Sequence, residues 1–378
     1  MNVCLVGPAH PYRGGIAHFT SMLAKSFAVE HRVDVINFRR LYPSFLFPGK
    51  TQYDDSTSPL AVPSRRIIDS MNPLTYLEAA RWIERGRADL VVIQWWHPFF
   101  APAFRVICSR VRRRTRSRIV FLCHNVLPHE PSPFDRALVR MGLGGGHAFL
   151  VQSGEDGRTL EALVAGAKVG FNPHPIYDWF DMKRYDADGA RRALDVHGRV
   201  LLFFGLVRSY KGLSVLLRAF AACGERLGAT LLVVGEFYEP RARYEELIAQ
   251  LGIGERVRLV DRYVPNEEVE VYFKAADLVV LPYLTATQSG VVQIAFSFAK
   301  PVVVTGVGGL PDVVTDGETG YVVTPDDPEA LAGAIERFFA ENAAARMSAA
   351  IRADLDRFSW RRCVRALVEL AREGDETA

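Results

Sequence analysis

The stretch LLFFGLVRSYKGLSVLLRAF, Leu201 to Phe220, reads as a strand, a loop and a helix in succession. Its first residues continue the apolar run Val200 to Phe204 without polar alternation, the pattern of a strand buried on both faces of a parallel sheet. Gly205 ends the run, Arg208 and Lys211 follow in a short loop, and a helix begins near Gly212. Leu213, Leu216, Leu217 and Phe220 share the inward face of that helix. Two cations at a strand's carboxyl end, beside a helix N-terminus, suit an anion such as a diphosphate that gains charge as a leaving group. An isolated Arg and Lys would be a pair of solvated charges, but the fixed loop favours the anion site.

Working outward, the same alternation of β-rich runs and helical periodicity continues on both sides and predicts parallel sheets built from βαβ units. The second half carries Val200 to Phe204, Thr230 to Val234, Val257 to Val260, Leu278 to Leu281 and Val302 to Thr305. The first half carries Val3 to Val6, Val33 to Phe38, Leu90 to Gln94, Ile119 to Cys123 and Ala148 to Gln152. Ile16, Phe19, Leu23 and Phe27 recur at helical spacing between its first two runs. Around residues 172 to 187 two prolines and mixed charges break the periodicity, as an interdomain linker does. The expected division is therefore 1–180, 181–355 and a C-terminal amphipathic helix from 356, read as a cap on the second domain.

A chain of 378 residues with 49% apolar and 24% charged residues fits two globular domains rather than a disordered or membrane-spanning protein. No run approaches the roughly 18 apolar residues of a membrane span, and the N-terminus lacks a secretory signal. Five cysteines without a CxxC pair fit neither a disulfide framework nor a zinc knuckle, so a reducing cytoplasm is the expected home. The net charge of +3 divides into +8 over residues 1–180 and −5 over the rest, which directs anionic partners to the first half.

Two further loops offer phosphate chemistry. In GPAHPYRGG, Gly14 and Gly15 stand between the first strand and the first helix, where backbone amides and the helix N-terminus meet an anion. A tight turn would need the same glycines. The loop is not a GxGxxG fingerprint, so NAD or FAD is not indicated. In the second half, Thr287, Gln288, Ser289, Gly290 and Val291 open a helix whose amides and hydroxyls suit phosphate or ribose oxygens, and Gly306, Gly308 and Gly309 turn the chain after the next strand. An N-capped helix followed by a glycine turn explains each piece alone.

Together these pieces resemble the retaining glycosyltransferases of GT-B fold known as group 1 or family 4. The resemblance is carried by FGLVRSYKGLSVLLRAF, LLVVGE, ADLVVLPY, KPVVVTGVGGLPDVV and DGETGYVV over roughly 198–340, with a weaker match at GGIAHFT. It implies an α/β architecture of two Rossmann-like domains facing a central cleft, with a nucleotide-diphosphate sugar, UDP- or GDP-linked, on the second domain. The implied acceptor is a saccharide or lipid-linked saccharide for surface glycan synthesis. Arg208 and Lys211 match the pair that grips the donor diphosphate, Gly205 the end of its strand, and Gly14 with Gly15 the N-terminal phosphate-facing loop. His124, in FLCHNVLPHE, is similar to a histidine lining the donor sugar. Transfer with retention follows from the family alone.

One departure stands out. The family's two glutamates, eight positions apart, fall on Ala286 and Ile294, leaving Gln288 or Gln293 as neutral substitutes. A catalytically silent subunit that partners an active transferase, or a nucleotide-sugar epimerase of the same fold, are the alternative readings. The epimerase needs an acid and base pair that the sequence does not offer.

Other features carry less. Asp186 and Asp188 form a DxD that reads as a solvated helix start rather than a metal site. MGLGGGHAF precedes a strand where a phosphate loop would follow one. His10, His97, His129 and His174 lack ligand spacing, and with two cations on the diphosphate no metal cofactor is expected. The run RVRRRTRSR, Arg110 to Arg118, is a solvated face or an attractor for anionic lipid or a lipid-diphosphate acceptor, with the aromatic WWHPFF nearby in sequence. Nucleic acid is not expected, because the rest of the chain is not basic.

Overall fold

A computed structural model describes residues 1–43, 51–57, 59–128 and 132–372. His129 lies outside the described residues, as does the chain beyond Arg372. The chain divides into two compact units: Met1–Asp55 with Pro59–Pro173 and Ser359–Ala378, and His174–Phe358 with Ser56–Ser58.

The first unit holds a parallel sheet of seven strands: β1 (Asn2–Val6), β2 (Arg32–Arg40), β3 (Arg65–Asp69), β4 (Leu90–Trp95), β5 (Arg118–Cys123), β6 (Ala148–Val151) and β7 (Val169–Phe171). Their order is β3-β2-β1-β4-β5-β6-β7. Val3 of β1 pairs with Val33 of β2 on one side and Leu90 of β4 on the other. The second unit repeats the scheme with β8 (Arg199–Phe204), β9 (Ala229–Val234), β10 (Val257–Val260), β11 (Leu278–Leu281), β12 (Val302–Thr305) and β13 (Gly320–Val323). Their order is β10-β9-β8-β11-β12-β13, again parallel. The central strands are dominated by Val, Leu, Ile and Phe and are almost wholly buried, because helices cover both faces of a parallel sheet.

Strand order dictates where a ligand can enter. In each unit the winding reverses between the first and fourth strands, and open α/β sheets bind ligands outside the carboxyl ends of the strands at that switch point. In the first unit these ends carry Gly7 after β1 and Gln94 in β4; in the second they carry Gly205 after β8 and Tyr283 after β11.

Two expectations need correction. The residues read as a linker are built into the second unit: Tyr177 and Phe180 are buried, and the Glu270 carboxylate accepts from the amides of Arg184 (3.0 Å) and Tyr185 (3.3 Å). The terminal helix, Trp360–Arg372, packs in the first unit instead of capping the second. Its Trp360 ring meets Phe19 edge-on at 4.8 Å, and Leu370 lies against Gly170, where a Cβ would come within 2.9 Å of its side chain. The first helix, Gly15–Phe27, forms where its periodicity marks it, with Phe19, Leu23 and Phe27 buried and Thr20, Ser21 and Met22 inside as well.

This docking makes Trp360 a keystone of the first unit. Truncating a buried aromatic leaves a cavity and forfeits its transfer energy, typically about 3 to 5 kcal/mol. Trp360→Ala is expected to destabilise the first unit by about that amount in chemical denaturation while amides of the second unit keep their hydrogen-exchange protection. Uniform loss of protection in both units would contradict this placement.

Candidate functional site

In the second unit the loop after β8 is held from both sides. The Val207 amide donates to the Glu236 carbonyl (2.9 Å) and receives, through its own carbonyl, the Tyr238 amide (3.0 Å), while the Tyr210 carbonyl accepts from the Leu284 amide (2.7 Å). The Ser209 amide donates to the Glu239 carboxylate. Within the loop, Lys211 N donates to Arg208 O (2.9 Å) and Gly212 N to Ser209 O (3.0 Å), forming a single tight turn before the helix Leu213–Leu227. Gly212 has φ +68°, and a Cβ there would lie 1.9 Å from the Pro282 carbonyl oxygen, so backbone touches backbone between the ends of β8 and β11.

Gly205 shows what this approach gathers. A Cβ on it would lie 3.0 Å from Lys211 Nζ and 3.5 Å from the Val291 side chain. The strand end, the lysine and the start of the helix Gly290–Ser297 therefore converge on one spot. Lys211 Nζ sits 5.5 Å from the centre of the Tyr283 ring, and the Arg208 guanidinium 5.0 Å from that of Tyr238, both within cation–π range. Burial, and secondarily the charge of Arg208, hold the Lys211 ammonium down to about 8. Neither cation has a carboxylate partner among the described residues. Two positive charges left together in this way await an anion.

The loop at Thr287 belongs to the same construction. The Gly309 amide donates to the Thr287 carbonyl (2.8 Å), a Cβ on Gly308 would strike the Ala286 carbonyl oxygen at 1.8 Å, and the Tyr283 hydroxyl lies 3.4 Å from Ser289 Oγ. The glycine turn after β12 thus supports the Thr287–Val291 loop, joining two pieces that were separate in sequence. Ala286 and Ile294, the positions of the missing glutamates, are both buried. Beside them, Gln293 is 1% exposed, and its Oε1, like that of Gln288, is enclosed without a protein partner among the described residues.

In the first unit Gly14 has φ +101° with open space where a Cβ would sit, and Gly15 is exposed at the start of the first helix. His124 follows β5 and is 1% exposed. Its Nε2 lies 2.6 Å from Gln94 Oε1, and the Phe19 ring packs on it edge-on at 4.6 Å. The loop beyond is pinned by Asp156, whose carboxylate accepts from the Val126 amide (2.8 Å) and the Ser153 hydroxyl (3.0 Å), and which burial raises to about 6. A Cβ on Gly7 would lie 2.5 Å from Gln94 Cγ, so glycine is required for the pair to occupy the switch point.

The structure thus brings Gly205, Arg208, Lys211 and Thr287–Val291 together in one unit, and Gly14, Gly15 and His124 onto the carboxyl-end side of the sheet in the other. Glu236, Tyr238, Tyr283 and Gln94 were not singled out from sequence. Gln94 and Glu236 had a signal, a polar side chain ending or directly following a buried apolar strand. Asp186 caps the helix Ala187–Leu194 by accepting from the Gly189 amide (2.6 Å), the structural role read for it. The arginines and the aromatic WWHPFF are not neighbours. They occupy opposite ends of the helix Ala101–Arg114, about 20 Å long. Trp95 and Phe100 are buried.

Residues 198–341 match the family model described as glycosyl transferases group 1. The D-inositol 3-phosphate glycosyltransferase of Corynebacterium diphtheriae is 37% identical over 168 residues, 40% of this chain and 37% of that protein. The protein of the same name from Corynebacterium urealyticum is 33% identical over 233 residues, 56% of this chain and 55% of the other. The matches thus span between about a third and about a half of these relatives. Among solved structures, sucrose-phosphate synthase from Thermosynechococcus elongatus superposes with a TM-score of 0.74 at 19% identity, covering 100% of both chains. Anabaena HepE in complex with UDP-glucose gives 0.71 at 17% identity, also over 100% of both. The strand orders and the superpositions show a GT-B fold, and residues 198–341 are similar to the group 1 glycosyltransferases.

Proposed function

We propose that the protein transfers a sugar from a nucleotide-diphosphate donor, held by the second unit, to a hydroxyl of a saccharide or lipid-linked saccharide acceptor on the first. The observation that carries this reading is the pairing of Arg208 and Lys211, without carboxylate partners among the described residues, at the switch point beside Gly205 and Val291. As the bond from the anomeric carbon to the phosphate oxygen breaks, charge grows on the departing diphosphate, where preorganised cations stabilise it most. The acceptor oxygen bonds to the anomeric carbon on the same face, and its proton passes to the departing phosphate oxygen. Retention follows from the family resemblance. The two cations supply the charge that a metal would otherwise bring, so the reaction is proposed to be metal-independent and cytoplasmic, where nucleotide sugars are made. The relatives named for D-inositol 3-phosphate point to a second acceptor class, a phosphorylated polyol.

A thermal-shift panel of UDP, GDP, ADP and their sugars tests the donor assignment. A ligand at 100 times its dissociation constant raises stability by about 2.7 kcal/mol. Binding of a nucleotide sugar without turnover would favour the silent subunit. EDTA is expected to leave donor binding intact; its loss with the fold preserved would refute metal independence.

Lys211→Ala and Arg208→Ala are each expected to slow transfer by about 100- to 1,000-fold, the usual effect of removing one preorganised donor from a transition-state charge. Folding stability should not fall in parallel, because removing either cation relieves the repulsion between two partly buried like charges. Near-normal turnover in both variants would remove the loop from the mechanism.

The lowered Lys211 value adds a pH signature. Below about 8 the side chain is cationic in the free protein, and above it the charge is lost, so nucleotide affinity should be level below pH 8 and fall above it. Lys211→Arg, charged throughout, should bind with no such fall. Parallel pH profiles for the two proteins would show that another group titrates.

A further inference from the structure

We propose that the groove between the helices Pro73–Gly86 and Ala101–Arg114 of the first unit docks onto an anionic phospholipid bilayer. The groove has a volume of about 620 Å³, and Leu77, Val106, Arg105, Arg110, Arg113 and Arg114 line it. Residues 73–118 hold ten arginines against three acidic residues. Arg110 is already bound to Glu84 of the neighbouring helix at 2.8 Å. None of Arg105, Arg113 and Arg114 has a carboxylate partner among the described residues, and all three are exposed.

Capping accounts for part of the run. The Arg112 guanidinium donates to the carbonyls of Gly145 (3.3 Å) and Gly146 (3.4 Å), and Arg113 reaches back to the Ser109 carbonyl (3.0 Å), contacts that suit the negative end of a helix. Arg105 lies in the first half of its helix, where the macrodipole gives a cation no such advantage, and it faces the same groove. The groove is also apolar where it is not cationic. Leu77 and Val106 are half-buried in it, and Leu74, one turn before Leu77, is 74% exposed. Arginine heads around exposed aliphatic side chains match the headgroup region of a bilayer, where the heads meet lipid phosphates and the stems lie along acyl chains. Nucleic acid would use the arginines and leave Leu74 in water.

The position of the groove fits such docking. The helix Ala101–Arg114 leaves the carboxyl end of β4 and returns toward the amino end of β5, so its arginine-rich end lies at the opposite edge of the sheet from Gly7 and His124. Leu74 and Arg105 lie in the first halves of their helices, nearer the carboxyl ends of the strands, so a bilayer in the groove lies along both helices rather than on one end of them.

Sedimentation of the full chain with phosphatidylcholine vesicles, with and without phosphatidylglycerol, tests the proposal. The protein is expected to bind vesicles containing phosphatidylglycerol at low salt, to be released by salt, and to ignore pure phosphatidylcholine. Arg105→Ser/Arg113→Ser/Arg114→Ser, which keeps the Arg110–Glu84 pair, should weaken this binding by roughly a hundredfold, at about fivefold per residue. Leu74→Ser should weaken it further, while binding of UDP in both variants stays as in the parent. Failure to bind vesicles containing phosphatidylglycerol would overturn the proposal. So would equal binding by the triple variant, or binding of duplex DNA that displaces the vesicles and ignores Leu74→Ser. Because the readout is vesicle binding, failure to bind UDP would count against the transferase reading alone.

Discussion

Backbone-to-backbone contact between the ends of neighbouring strands is the constraint on which the second unit's site depends. A Cβ on Gly235 would lie 2.0 Å from the Gly205 carbonyl oxygen, one on Gly212 1.9 Å from that of Pro282, and one on Gly308 1.8 Å from that of Ala286. At each place only glycine lets the loops meet, and the loops that meet are those after β8, β9, β11 and β12. Their closeness sets the Lys211 ammonium beside Gly205 and the helix that follows Ser289. A side chain at any of the three glycines would move loops apart, and the cations would lose the preorganisation that makes them useful against developing charge.

The same geometry explains the electrostatics. Lys211 and Arg208 repel each other, and burial removes the water that would soften the repulsion. Tyr283 and Tyr238 offer ring faces that partly compensate, worth about 0.5 to 1 kcal/mol each at accessible sites. An arrangement that keeps cations unneutralised is a poor way to stabilise a fold and a good way to hold an anion, which separates this pair from the ion pairs elsewhere in the unit. Arg191, for example, is satisfied by Asp277 at 2.6 Å.

Much of this was legible in sequence because central parallel strands are continuous apolar runs. The strands that went unread, β3, β7 and β13, all lie at sheet edges. β3 opens with Arg65 and Arg66, β7 is the three residues Val169–Phe171, and β13 begins at Gly320, so none presents an uninterrupted apolar run. Such short, half-exposed edges are what a sheet tolerates where it must end. The loop after β8 was legible through Gly205, Arg208 and Lys211, whose spacing is local. Gln94 was not, because its meaning lies in His124, thirty residues away, and in the missing side chain of Gly7. The terminal helix was misassigned for a related reason. Its amphipathic pattern shows that one face is buried but carries no information about which unit receives it.

The replacement of the two glutamates becomes intelligible once burial is considered. Ala286 and Ile294 sit in enclosed positions, where a carboxylate would carry a large desolvation penalty unless a ligand or a cation met it. Gln293 and Gln288 place neutral carbonyl oxygens nearby instead, enclosed and without protein partners among the described residues. A buried acceptor left unmet costs about 1 to 3 kcal/mol, so a hydroxyl that donates to it recovers that amount on binding. Neutral amides also leave the positive field of Arg208 and Lys211 undiminished, whereas two carboxylates at Ala286 and Ile294 would oppose it. In the proposed donor site the attraction for a diphosphate would thus stay undiminished, and hydroxyl groups would meet amides that can both donate and accept. The departure from the family pattern is thus compatible with the proposed donor binding, which would draw more of its affinity from the diphosphate.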